Sequence, residues 1–264
     1  MLSKKLKILV TNDDGYRAKG INVIKNLLSA YGDVTVIAPY EPQSGKSASL
    51  TLDRPLRLEH LEKSEGVNGN IIDTYTLTGT PADCVKMAMN TFFSLDNKPD
   101  ILVSGINHGS NASVASLYSG TLGAAAEATV YGIPAMGLSI DTHNPDADFA
   151  PVEHYLETIM SKFLEYPPRS GVYLNINFPC IPVAEIKGIR FAKQGSGIWI
   201  NEYEKRTDPH GKPYYWMCGE FMDTESSETG DHHVVENKYI SVVPQMIDTT
   251  DYNEMKRMSH DWNL

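Results

Sequence analysis

Short apolar runs separated by polar, turn-forming clusters set the pattern of the chain. Residues 7–11 (KILVT) form a branched apolar run suited to a buried parallel strand. Asn12-Asp13-Asp14-Gly15 stops it with turn chemistry. Within 20–31, Ile21, Ile24, Leu27 and Leu28 recur on one helical face. Residues 34–38 (VTVIA) predict a second strand, ended by Pro39, and a polar loop follows over 40–49. Thr80-Pro81 reads as an N-cap with proline at the first helical position. Val85, Met89 and Phe92 give that helix an inner face, to about residue 93. Residues 100–104 (DILVS) predict a strand, 105–119 a loop of glycine, asparagine and serine, and 122–131 a helix of small residues. A strand over 133–139, a helix over 152–164 and a strand over 172–178 (VYLNINF) continue the series.

This alternation predicts an α/β fold, three-layer and Rossmann-like, around a mostly parallel sheet. Beyond about residue 187 the pattern changes. Aromatic and β-branched residues at 198–203 and 214–217 flank the turn signal Asp208-Pro209-His210-Gly211, which predicts a C-terminal β-hairpin extension. A strand over 239–243 and a terminal helix over about 250–258 follow. The expected organisation is a single domain over 1–264, with an α/β core over about 1–187 and the extension over about 188–264.

Composition narrows the class. A chain of 264 residues, 41% hydrophobic and 21% charged, is globular, which excludes wholesale disorder and fibrous repeats. The net charge of −10 excludes a broad basic surface for a nucleic-acid duplex. It does not exclude a small phosphate, which a cation or backbone amides can hold. Cys84, Cys180 and Cys218 are odd in number and far apart, so no disulfide framework is expected. No apolar run can span a membrane, and residues 1–7 are too polar for a secretory h-region, so a cytoplasmic protein is expected.

The polar residues fall at strand ends. Asp13-Asp14 follow the first strand, Ser44 follows the second, and Asn107 follows the strand at 101. Ligands of open parallel sheets bind beyond the carboxyl ends of the strands, so these loops converge if the strands are neighbours. Two carboxylates, a hydroxyl and an amide oxygen are hard donors that suit Mg²⁺, Mn²⁺ or Ca²⁺ rather than zinc. Asn-Asp-Asp-Gly is equally good turn chemistry, and that reading stays open on the fragment alone. Ser104-Gly105-Ile106-Asn107-His108-Gly109-Ser110-Asn111 can line an anion pocket, and Ser119-Gly120-Thr121 places hydroxyls and N–H groups at a helix N-terminus. A surface loop with a helix cap uses the same groups. Gly45-Lys46-Ser47 is not a P-loop, because Tyr40 stands where the leading glycine belongs. His232-His233, among Glu220, Asp223, Glu225, Glu228 and Asp231, reads as a solvated loop. Tyr252, Met255 and Met258 read as a packing face.

Taken in order, these blocks resemble the SurE family of survival-protein nucleotidases. The resemblance is carried by Thr11-Asn12-Asp13-Asp14-Gly15, Ala38-Pro39, Ser44-Gly45, Ser49-Leu50-Thr51-Leu52 and Gly79-Thr80-Pro81-Ala82-Asp83-Cys84. It continues through Ser104-Gly105-Ile106-Asn107-His108-Gly109, Asn111 and Tyr118-Ser119-Gly120-Thr121. Weaker echoes stand at Asn175-Ile176-Asn177-Phe178-Pro179, Asp208-Pro209-His210-Gly211 and Tyr239-Ile240-Ser241-Val242-Val243-Pro244. The resemblance implies a metal-dependent phosphatase acting on nucleoside 5′-monophosphates, in homodimers or homotetramers joined through the C-terminal extension. It implies one divalent cation, Mg²⁺ or Mn²⁺, on Asp13, Asp14, Ser44 and Asn107, with the two aspartates catalytic. Asn12, Gly45, Ser104, Gly105, Asn107, His108, Gly109, Asn111, Ser119, Gly120 and Thr121 would border the phosphate. Lys19, Gln43 and Ser113-Val114-Ala115 depart from the family pattern at the rim. Metal-assisted hydrolysis by water is the expected chemistry. An aspartyl-phosphate route, a non-catalytic nucleotide-binding module and a sugar-nucleotide transferase are the rivals.

Overall fold

The computed structural model describes residues 5–144, 146–224 and 228–262. Its centre is a nine-stranded sheet. The strands are β1 (Leu6–Thr11), β2 (Gly32–Pro39), β3 (Leu58–Glu65), β4 (Ile71–Leu77), β5 (Ile101–His108), β6 (Ala135–Asp141), β7 (Val172–Pro179), β8 (Ile189–Phe191) and β13 (Ile240–Met246). Their order is β3-β4-β2-β1-β5-β6-β7-β13-β8. The run from β4 to β7 is parallel throughout; only β3 and β13 enter antiparallel, against β4 and β7.

Helices cover both faces, as the alternation predicts. Ile8 and Val10 of β1 face α1 (Lys19–Leu28) and α4 (Ala150–Glu165), where Ile21, Ile24, Leu156, Met160 and Phe163 pack in one core. Leu9, pointing the other way, meets α2 (Pro81–Thr91) and α3 (Gly120–Val130) through Val85, Ala88, Ala124 and Ala128. The predicted start of α2 is a full capping box: Asp83 N–H donates to Thr80 Oγ1 at 3.1 Å, and Thr80 N–H donates to Asp83 Oδ2 at 2.9 Å.

Two expectations are corrected. The segment 105–119 is not all loop: β5 runs on through His108, because Ile106 is fully buried and pairing with β6 resumes at Asn107↔Ser139 beyond a register shift. The C-terminal β-hairpin extension forms as expected, in two antiparallel ribbons. Strands β9 (Gly197–Ile200) and β12 (Glu220–Asp223) pair, while β10 (Tyr203–Thr207) and β11 (Pro213–Met217) pair around the predicted turn. A break at Asn201, which has positive φ, separates β9 from β10. His232 and His233 do not sit in a solvated loop but in helix α5 (Asp231–Glu236), partly buried against the β9/β12 ribbon; Glu225 lies outside the described residues. The terminal helix α6 (Tyr252–Asp261) forms as predicted, but it buries no residue within the chain.

Candidate active site at the carboxyl edge of the sheet

Strands β2, β1 and β5 are neighbours, so the loops carrying Ser44 and Asp13-Asp14 and the last residues of β5, which include Asn107, lie at the same edge of the sheet. Connections from β1 lead outward to β2 and β4 on one side, and the chain then returns to β5 on the other. The two aspartates therefore stand at a topological switch point, where a crevice opens.

Cross-links between the loops hold the site. Gln43 N–H donates to the Asp13 carbonyl at 2.7 Å, which fixes the loop preceding Ser44. Asp14 Oδ2 accepts from the His108 N–H at 3.0 Å, and His108 Nδ1 lies 3.5 Å from the same oxygen. Thr121 Oγ1 donates to Asp13 Oδ1 at 2.7 Å. Helix α3 can approach this closely because residue 120 is glycine: a Cβ there would come within 2.9 Å of Asp13 Cβ.

The site is electrostatically unbalanced. Asp13 is 3% exposed. Burial pushes its carboxyl up to about 6, and the neighbouring Asp14 charge adds to the rise, while the hydrogen bonds from Thr121 oppose it. Among the described residues, no lysine or arginine forms an ion pair with either aspartate. Two adjacent carboxylates with so little compensation make a hard-donor pair that fits a divalent cation.

The remaining predicted residues divide by what their polar atoms already do. Asn12 is fully buried and donates to the Gly15 carbonyl at 3.0 Å, so it shapes the turn, while its Oδ1 has no partner. Asn107 Nδ2 donates to the Gly109 carbonyl at 2.8 Å, which leaves its Oδ1 to other partners. Ser119 Oγ accepts from the Leu122 N–H as the N-cap of α3. Ser104 is fully buried inside β5, its hydroxyl unpartnered. Ser44 and Gly45 are exposed on the β2 loop, and Ser47 of that loop donates to the Tyr118 and Leu117 carbonyls at 3.0 and 2.9 Å. Asn111 is tied inward: its Nδ2 donates to Ser139 Oγ and its N–H to Asn177 Oδ1, both at 2.8 Å.

Sequence reasoning missed the scaffold behind that loop. Asn175 and Asn177 are fully buried on β7, where Asn175 Nδ2 donates to the Asn111 carbonyl at 2.9 Å and Asn177 Nδ2 to Asn175 Oδ1 at 2.9 Å. Two asparagines at i and i+2 in an apolar strand were the available signal. Asp231 was also missed. It is fully buried and accepts from the N–H groups of Ser113 and Gly195, both at 2.9 Å. Among the rim departures, Lys19 is turned away, donating to the Ala147 carbonyl at 2.8 Å.

Thr121 is a positioning residue for Asp13. Thr121→Val keeps the shape and removes a hydrogen bond to a charged group, worth about 1.5–3 kcal/mol. The expected result is a fall in turnover of roughly 10- to 100-fold with the fold intact, and recovery in Thr121→Ser. Unchanged turnover in Thr121→Val would show that Asp13 is placed without it.

Fold and site together define a Rossmann-like α/β protein with an acidic, cation-suited centre at its switch point. The family model for survival protein SurE matches residues 8–201. The 5′-nucleotidase SurE of Christiangramia forsetii is 42% identical over 264 residues, covering 100% of this chain and 99% of its own. That of Flavobacterium johnsoniae is 41% identical over 264 residues, with the same coverage. The crystal structure of the SurE protein from Aquifex aeolicus matches with a TM-score of 0.78 at 34% identity, covering 96% of this chain and 98% of that one. The chain belongs to the SurE family.

Proposed function

We propose that the protein is a metal-dependent 5′-nucleotidase that hydrolyses nucleoside 5′-monophosphates to nucleoside and phosphate. The observation that carries the reading is the poorly compensated pair Asp13-Asp14, the first buried and the second partly so, at the switch point of this fold. Relatives of full length that bear the name 5′-nucleotidase support it. Asp13, Asp14, Ser44 and Asn107 would hold one cation, Mg²⁺ or Mn²⁺. When bound, such an ion supplies Lewis-acid polarisation of a phosphoryl oxygen and a more acidic water.

The chain's own groups do the rest. Asp13 and Asp14 offer carboxylate oxygens that accept a proton from an attacking water and keep it oriented. The N-terminal turn of α3, opening at Gly120, gives the phosphate an N–H donor. Asn111 and Ser119, held by Ser139, Asn177 and the α3 cap, shape that cradle. An apolar cavity of about 470 Å³ opens beside Gly45, lined by Tyr118, Trp199 and Met217, and suits the nucleoside.

The test is phosphate release from a panel of nucleoside 5′-monophosphates, with EDTA, Mg²⁺ or Mn²⁺. Release that EDTA abolishes and metal restores is expected. Binding without release would move the protein to a non-catalytic nucleotide-binding role. The reading includes a cytoplasmic location, and no described helix is long and apolar enough to cross a membrane.

Homo-oligomerisation through the extension belongs to the same reading. Tyr203, Tyr215, Trp216 and Met217 on the β10/β11 ribbon and Tyr252, Met255 and Trp262 of α6 are exposed, an apolar surface a lone chain has no use for. Sedimentation equilibrium is expected to give a dimer or tetramer, and removal of 203–217 is expected to lower the order. A monomer at micromolar concentration would sink this part.

A further inference from the structure

We propose a second cation site, distinct from the aspartate centre, formed by Asp223, His232 and His233 and suited to a zinc-like divalent transition metal. The three side chains come from two elements, β12 and α5, and one donor atom from each lies within 4.8 Å of the others. His233 Nε2 is 2.9 Å and His232 Nε2 is 3.3 Å from the same oxygen, Asp223 Oδ2. Ligand atoms around a tetrahedral zinc sit about 3.3 Å apart, given metal–ligand distances near 2.0–2.2 Å. The cluster is thus close to ligating geometry before any ion enters.

Two imidazoles with one carboxylate are a zinc-type donor set, unlike the all-oxygen set at Asp13 and Asp14. Three observations separate the cluster from an ordinary ion pair. His232 is 12% exposed at its side chain, and both its ring nitrogens are buried without a hydrogen-bond partner. Its Nε2 approaches Asp223 yet makes no hydrogen bond there, and its Nδ1 lies 3.9 Å from Asp231 Oδ1, beyond hydrogen-bond reach. A buried imidazole left in this way carries a desolvation cost that a metal bond at Nε2 offsets.

The rings are also pre-set. His232 is wedged between Gly195, where any Cβ would run into its Nδ1, and Phe221, whose ring meets it edge-on at 5.6 Å. His233 Nδ1 faces Glu236 Oε2 at 3.3 Å, an outer carboxylate that orients the ring with Nε2 toward Asp223. A cavity of about 260 Å³, lined by His232, Glu236, Asp141 and His143, borders the cluster and leaves room for water as a fourth ligand. The ion would tie the β9/β12 ribbon to α5. That ribbon carries Trp199, which contacts Phe221 edge-on at 5.9 Å and forms a wall of both cavities.

The experiment measures Zn²⁺ by equilibrium dialysis on the full chain carrying Asp13→Asn and Asp14→Asn, so the aspartate centre is silenced. One Zn²⁺ per chain is expected. Adding His232→Gln or His233→Gln should weaken it by more than the roughly 100-fold typical of losing an outer-shell partner. Co²⁺ in place of Zn²⁺ should show the intense visible absorption of a four-coordinate ion, lost in the same variants. Circular dichroism checks the fold; His233, half on the surface, serves if His232→Gln unfolds. Absence of Zn²⁺ retention in the silenced protein, or retention unaffected by both histidine replacements, overturns the proposal. Only the faint colour of six-coordinate Co²⁺ does so as well.

Discussion

Asp13→Asn is expected to abolish metal-restored phosphate release, by 10³-fold or more, and yet to leave the cation-free protein more stable than the parent. The first half follows from removing a central anionic donor, since several kcal/mol of charge stabilisation translate to about one decade per 1.36 kcal/mol. The second half follows from burial. The Asp13 carboxyl is lifted from 3.8 to about 6, so in the folded, cation-free chain its charge is unfavourable. Between those two values the folded state holds more protons than the unfolded one, and stability falls as pH rises. Above about 6 the cost is complete, on the order of 3 kcal/mol at most. Asparagine has no charge to desolvate and keeps an oxygen to accept from Thr121. Thermal melts in EDTA should therefore show the variant ahead of the parent at pH 8, with the gap closing as pH falls from about 6 toward 3.8. Added Mn²⁺ should raise the parent's melting temperature and not the variant's. A variant less stable than the parent at pH 8 in EDTA would mean that Asp13 is already balanced by a group other than the cation.

The elements around this site were legible where burial and periodicity agree. β1, β2, α2 and the start of α3 announce themselves by branched runs and by Thr80 and Ser119 as caps. β3 and β4 did not. β3 (LEHLEKSE) is an edge strand, almost wholly exposed, with the polar composition of a loop. β4 buries Thr74 and Thr76, which carry little hydrophobic signal. β5 was cut short because Gly105, Asn107 and His108 look like turn residues, and strands carry such residues where a ligand must be reached. In the site itself, residue types pointed to hard-oxygen chemistry, but no local pattern says which atom is spent on which partner. Thr121 gives its hydroxyl to Asp13, 108 positions away, and Asp231 reaches Ser113 across 118. The pairing of His232 and His233 with Asp223 depends on β12 packing against α5, which is tertiary information.

Gly105→Ala should damage the fold more than any other glycine replacement at the site. Gly105 has φ near +133°, a backbone region closed to side chains, and costs of about 1–3 kcal/mol attend such strain. Its missing Cβ also matters, because one built there runs into the Leu138 carbonyl oxygen of β6. That oxygen is backbone in the middle of a buried sheet and cannot rotate away, so overpacking adds about 1–3 kcal/mol. The sum removes a large share of the 5–15 kcal/mol by which a domain is typically stable, and lowers the melting temperature by roughly 10 °C. Gly211→Ala is the control, since Gly211 has φ near +80° in an exposed turn with nothing within 4 Å of a Cβ. It should lose only about 1–2 kcal/mol from the left-handed backbone. Activity should follow the same order for a separate reason. The register shift that Gly105 accommodates lies just before Asn107 and before His108, whose N–H donates to Asp14. Gly105→Ala protein kept folded at low temperature should therefore still release phosphate more slowly than Gly211→Ala. Equal melting temperatures for the two variants would show that β5 and β6 can part at Leu138 at little cost, and that the strand does not rigidly set the position of Asn107.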